Sequence, residues 1–151
     1  MSTIYLVQHG QAKSKQVDPE RSLTEQGRRE TERIAEMATR LDLDIQEIRH
    51  SGKTRAQETA AIFGRALGLM GKVTAVDGLN PTDDVTAVAG KLKTSSKPPM
   101  LVGHLPFMPN LVGYLVNNDA NSSPVDFRNS GIVCLVEDSG EWHVDWQLNP
   151  G

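Results

Sequence analysis

Apolar and polar positions follow two periods along this chain, and they change over at short polar breaks. Ile4-Tyr5-Leu6-Val7 is a compact apolar run, β-branched and aromatic in part, that stops at Gln8, His9 and Gly10. It predicts a buried strand over 4–7. Between Thr24 and Leu41 the period lengthens, and Ile34, Met37, Ala38 and Leu41 fall at i, i+3, i+4 and i+7 on one helical face. Ser22 with Glu25, or Thr24, can cap that helix. A second strand is predicted over Ile45 to Arg49, and a second helix from Lys53 to Leu67, with Ala56, Thr59, Ala60, Phe63 and Leu67 facing inward and Gly68 as terminator.

The alternation continues. Val73 to Val76 predicts a third strand, residues 77–81 a loop, and Thr82 to Lys93 a third helix. The Pro98-Pro99 pair opens a fourth strand that runs through Val102. Pro106 fits the first turn of a fourth helix reaching Val116, where no intrahelical donor is lost. Ile132 to Val136 and Trp142 to Gln147 flank Asp138-Ser139-Gly140, a hairpin signal. Strands and helices in this order predict an α/β three-layer sandwich, a mostly parallel sheet covered on both faces, with an antiparallel hairpin at one edge.

Composition sets bounds on this picture. A chain of 151 residues predicts one domain over 1–151 with a core of its own. The formal net charge is -3, from 16 basic and 19 acidic side chains, so no global field recruits nucleic acid or an anionic membrane. Any basic pocket is then a local arrangement. Cys134, the single cysteine, lies in the apolar run 132–136 and reads as a small core residue. No signal-peptide pattern opens the chain and no apolar stretch approaches the roughly 18 to 20 residues of a membrane span, so the expected location is cytoplasmic. His50 and His143 have no partners at metal-ligand spacing, and no metal or other cofactor is expected. His50 is expected as an exposed residue at a strand end. Ser51-Gly52-Lys53-Thr54 resembles the end of a nucleotide-binding loop, but position 47 is Glu where that motif requires glycine.

The candidate chemistry sits at the element junctions. His9 ends the first strand, where open α/β sheets place their sites, and Gly10 allows a sharp turn there. Arg21 stands before the first helix, Arg55 opens the second, and His104 follows the fourth strand. Two imidazoles and two guanidiniums suit a phosphoryl group, with His9 as nucleophile and the arginines as paired donors. Taken singly, Arg21 and the other arginine also fit surface salt bridges, and His104 fits a helix cap.

In order and spacing these segments resemble the histidine phosphatase superfamily, most closely its small SixA-type phosphohistidine phosphatases. The residues concerned are His9-Gly10, then Arg21, Leu23, Thr24 and Gly27, then Ser51, Arg55, Ala56, Gln57 and Thr59, then Gly103-His104-Leu105-Pro106, and finally Trp146, Leu148 and Pro150. The resemblance covers nearly the whole chain. It implies a phosphoglycerate mutase-like fold and a phosphatase that hydrolyses phosphohistidine on a protein, such as a phosphorelay domain, through a covalent intermediate at His9. It also implies that Arg21 and Arg55 bind phosphate and that His104 completes the pocket, with Gln8 and Gly10 on the substrate side.

Two departures stand out. The family normally carries arginine just before the nucleophile, and here Gln8 offers a hydrogen bond without charge, a loss worth on the order of tenfold to a hundredfold in rate. Lys13, Lys15 or Lys53 are the candidates to offset it. Many relatives also place a glutamate after the third strand as general acid; the region here holds Asp77, Asp83 and Asp84, the last two expected as first-turn residues of the third helix. An imidazole leaves more readily than an alkoxide, so this pattern favours phosphohistidine as substrate. Two alternatives stay open: a small-molecule phosphomonoesterase using Asp77 or Asp83, and a catalytically impaired module that binds phosphate or phosphohistidine.

Overall fold

The computed structural model describes residues 2–92 and 98–151. The first apolar run becomes β1 (Ser2–Gln8), and α1 (Glu25–Thr39) follows the polar loop. Next come β2 (Glu47–His50) and α2 (Thr54–Leu67), then a short 3₁₀ turn, β3 (Val73–Ala75) and α3 (Val85–Leu92). The chain continues with β4 (Pro99–Gly103), α4 (Phe107–Asn117), β5 (Ile132–Asp138) and β6 (Glu141–Leu148). The six-stranded sheet has the order β3-β2-β4-β1-β5-β6. β3, β2, β4 and β1 run parallel, while β5 is antiparallel to both β1 and β6.

The alternation of side chains along a strand explains the layers. Tyr5 and Val7 of β1, with Met100 and Val102 of β4, face a core built with Ile34 and Ala38 of α1 and Ala56 and Phe63 of α2. Ile4, Leu6 and Leu101 face the other way, against Val85 and Val88 of α3 and Phe107 and Leu111 of α4. Central strands buried on both faces must be apolar throughout, and β4 is buried at every position. Cys134 lies in the first core, where burial pushes its thiol up to about 12. The hairpin turns through Ser139 (φ 55°) and Gly140 (φ 84°), the left-handed pair that matches strand twist in a two-residue loop.

Several expected boundaries and faces shift. α1 ends at Thr39 rather than Leu41, and its buried stripe is Gly27, Thr31, Ile34, Ala35 and Ala38, which leaves Met37 and Leu41 exposed. Its cap is Thr24, whose Oγ1 accepts the Gly27 N–H at 2.9 Å, while the Ser22 hydroxyl turns back to Asp18. α3 starts at Val85 because Asp84 caps it, accepting the Thr86 N–H at 2.9 Å; its expected end at Lys93 lies outside the described residues. Pro106 stands just before α4, at the cap position. His50 is buried rather than exposed, and its Nδ1 accepts the Gly52 N–H at 3.0 Å. Among the described residues, no helix is long and apolar enough to cross a membrane.

Candidate active site

Three neighbouring parallel strands end side by side, and each carries a polar residue just past its carboxyl end. β1 leads to His9, β4 to His104 and β2 to Ser51, with β4 in the middle. α1 follows β1 onto one face of the sheet, whereas α4 follows β4 onto the other. Adjacent strands whose connections diverge leave a crevice at their carboxyl ends. His9 and His104 meet there, with ring centroids 5.1 Å apart and planes inclined by 54°.

The peptide frame around His9 is fully engaged. His9 Nδ1 lies 2.7 Å from the Gly10 carbonyl oxygen, which can only accept, so Nδ1 carries the proton and Nε2 is left with its lone pair. The Gly10 N–H donates to Thr59 Oγ1 at 2.9 Å, and the Thr59 hydroxyl donates in turn to the Arg55 carbonyl at 2.8 Å. Buried Thr59 therefore ties the nucleophile's turn to the helix that carries Arg55. From the other side, Asn129 Nδ2 donates to the His9 carbonyl at 2.9 Å, and the Ser130 N–H to the Gln8 carbonyl at 2.9 Å. Gly10 is needed for space rather than for a left-handed turn, because a Cβ there would stand 2.7 Å from Thr31 Oγ1. Its own N–H and C=O are both used inside the protein.

Arg21 is placed by a braced loop. The Asp18 carboxylate accepts from the backbone N–H groups of Glu20 and Ser22 and from the Ser22 hydroxyl, and the Leu23 N–H donates to Glu58 Oε1 on α2 at 2.8 Å. Those contacts hold Arg21 at φ 52°, a conformation that non-glycine residues adopt only where the surroundings enforce it. Its Nε donates to the Lys13 carbonyl at 3.0 Å, which orients the guanidinium. Gly27 lets this loop sit tightly on α1, since a Cβ there would fall 2.2 Å from the Gln11 carbonyl oxygen.

The electrostatics of the two histidines agree with this placement. Burial pushes His9 down to about 4; the Gly10 hydrogen bond opposes that, while the Arg55 and Arg21 guanidiniums reinforce it. Burial, then His9, Arg55, Lys53 and Arg21, push His104 down to about 3. Both rings are neutral at pH 7. Arg55 is itself lowered by burial and by Arg21, so the two guanidiniums feel each other. Among the described residues, neither forms a salt bridge.

Against the satisfied frame, three buried side-chain atoms have no partner among the described residues: Gln8 Oε1, Arg55 Nε and His104 Nδ1. The other nitrogen of His104, Nε2, lies 2.6 Å from Ser51 Oγ, which also accepts the Lys53 N–H at 3.3 Å. The structure thus groups His9, His104, Arg21 and Arg55, with Gln8 at the edge beside them. Lys53 is exposed but acts on His104 through its charge, and Lys13 contributes its carbonyl. Asp83 accepts the Asn80 N–H and Asp84 caps α3, so both carboxylates serve the turn before that helix. Glu58 and Asn129 are site residues to which the sequence pattern assigns no role, and Ser51 and Thr59, seen there only as motif and helix-face positions, gain one here. Two uncompensated guanidiniums beside a neutral imidazole can hold a tetrahedral oxyanion and present it with a nucleophilic nitrogen. Among the described residues, no three His, Cys, Asp or Glu side chains are grouped to hold a metal ion.

Comparison with known proteins places this geometry. The chain is 27% identical to the phosphohistidine phosphatase SixA of Escherichia coli strain K12, over 97% of this chain and 93% of that protein. The structure of the protein histidine phosphatase SixA complexed with tungstate superposes with a TM-score of 0.87 at 26% identity, covering 98% of this chain and 97% of the other. A mycobacterial glucosyl-3-phosphoglycerate phosphatase shares the fold at a TM-score of 0.78 and 17% identity, covering all of both chains (100%). The α/β fold, with its six-stranded sheet and antiparallel strands β5 and β6, is thus phosphoglycerate mutase-like. The family model of the histidine phosphatase superfamily (branch 1) matches residues 4–83, the stretch that carries His9, Arg21 and Arg55, and the chain belongs to that superfamily.

Proposed function

We propose that this chain is a phosphohistidine phosphatase that transfers the phosphoryl group to His9 Nε2 and then to water. The observation that carries the reading is a neutral His9 whose proton is fixed on Nδ1, beside two guanidiniums with no carboxylate partner among the described residues. Nε2 attacks phosphorus, and the substrate's P–N bond breaks with its electron pair returning to the substrate ring. That ring departs as neutral imidazole when its other nitrogen carries a proton. Water then attacks the phosphorus of phosphorylated His9, giving inorganic phosphate and restoring the imidazole.

The remaining groups stabilise charge on the equatorial oxygens. Arg21 and Arg55 supply paired donors. Ser51, whose Oγ lies 2.6 Å from His104 Nε2 and accepts the Lys53 N–H, holds the His104 ring in place beside the phosphoryl group. Gln8 adds a neutral hydrogen bond at the edge. Phosphohistidine suits a site in which Asp83 and Asp84 are engaged by backbone amides rather than free to protonate an alkoxide. The SixA relatives support the same substrate class, and tungstate, bound by one of them, is a tetrahedral oxyanion like phosphate. The partner is a phosphohistidine-bearing protein such as a phosphorelay domain, met in the cytoplasm.

Phosphate release tests the reading, measured with a phosphohistidine-bearing phosphorelay domain beside a simple alkyl phosphate. Turnover of the domain that far exceeds that of the ester is expected. Comparable rates on both would assign a phosphomonoesterase, and phosphate binding without turnover would assign a binding module.

A further inference from the structure

A cleft of about 440 Å³ opens beside the His9 strand end, bordered by Gln8, Gln26, Glu30, Leu105, Arg128 and Asn129. It is joined to the site by chain and by hydrogen bond. Gln8 precedes His9, Leu105 follows His104, and the Asn129 amide holds the His9 carbonyl at 2.9 Å. Whatever is attached to a phosphoryl group at His9 therefore has this cleft as its neighbour.

The lining has features that no internal contact explains. Gln8 borders the cleft but is only 7% exposed, so it forms part of the inner wall rather than of the rim. Leu105 is 47% exposed and, with Phe127 and Pro150, supplies the apolar part of a mainly polar lining. Arg128 is exposed and, among the described residues, forms no salt bridge. Glu30, the opposite charge in the cleft, accepts from Gln26 Nε2 at 3.3 Å. Arg128 also sits on firm backbone: its carbonyl accepts the Gly131 N–H at 3.0 Å, and the two residues after it bond to the carbonyls of His9 and Gln8. In a chain of net charge -3, such an arginine is a local attraction for an acidic group.

We propose that this cleft receives the polypeptide segment flanking the substrate's phosphohistidine, and that Arg128 selects an acidic side chain in that segment. Leu105 packs against the apolar part of the segment. This proposal rests on the phosphatase reading above.

The test uses phosphohistidine peptides of one length flanked by glutamate, glutamine or lysine, with phosphoimidazole as a probe that lacks any flanking segment. The native chain should prefer glutamate over glutamine by about fivefold in kcat/KM, the scale of one exposed ion pair, and should disfavour lysine. Arg128→Ala should level the three peptides and Arg128→Glu should invert their order. A native chain indifferent to the flanks, or an Arg128→Glu variant that keeps the native order, overturns the cleft assignment while the phosphatase stands. Failure of the native chain to hydrolyse phosphoimidazole and every peptide overturns the phosphatase reading itself, and this proposal with it.

Discussion

The two sides of His9 are built on opposite rules. Behind the ring, every polar atom of the turn has a partner: Nδ1 on Gly10, the Gly10 N–H on Thr59, and the His9 carbonyl on Asn129. In front, Arg55 Nε and His104 Nδ1 are buried without one among the described residues, and two guanidiniums stand there without carboxylates. Leaving buried polar atoms unpaired costs about 1–3 kcal/mol each, which a fold tolerates at a site built to bind a ligand. The contrast shows a rigid frame that fixes one tautomer of one imidazole, facing a surface already arranged for negative charge and needing no reorganisation when that charge arrives.

The front should be more sensitive than the frame. Arg55→Ala removes a charge that acts on both histidines, and kcat on a phosphohistidine protein should fall about 10²–10³-fold. A fall no larger than for the frame variant would erase the distinction. Thr59→Val keeps the shape but removes the link between Gly10 and Arg55, and kcat should fall about tenfold through misplacement of His9, with KM little changed. Thr59→Ser, which keeps the hydroxyl, should restore it; failure to do so would make the methyl group, not the hydrogen bond, the important part.

A further effect is on stability. His9 and His104 are held at about 4 and about 3, below the ordinary 6.5, so between those values and 6.5 the unfolded chain binds more protons than the folded one. Stability must then rise with pH across that window and fall on acidification, with a slope of up to about 1.4 kcal/mol per pH unit for each histidine. Urea unfolding at pH 7 and pH 5 reads it directly. Bound phosphate favours the charged form of His104, so it should flatten the slope.

Much of this architecture was legible in residue order. A strand buried on both faces has to be apolar throughout, which made β1 plain, and the Gly68 terminator and the Ser139-Gly140 turn follow from backbone sterics alone. His9, Arg55 and His104 stood out because each lies at the end of a strand or the start of a helix, and Arg21 because it stands in the polar loop before one. The frame was hidden, because its hydrogen bonds join residues that only strand order brings together: Thr59 to Gly10, Ser51 to His104 and Asn129 to His9. Residues 118–131 have no helical or strand period, so nothing in the pattern marked Asn129 or Arg128. Met37 and Leu41 misled for a simpler reason: the helical stripe rotates by one position, and Ala35 and Thr31 take the buried places.

The most direct test of the central claim is to mix the chain with a phosphohistidine protein labelled in its phosphoryl group, quench within one turnover, and map the label. The account predicts an acid-labile, base-stable phosphoryl group on the peptide that contains His9, absent from His9→Ala, which should also release no phosphate. Phosphate release at the native rate with no label on that peptide, or undiminished release by His9→Ala, would contradict it.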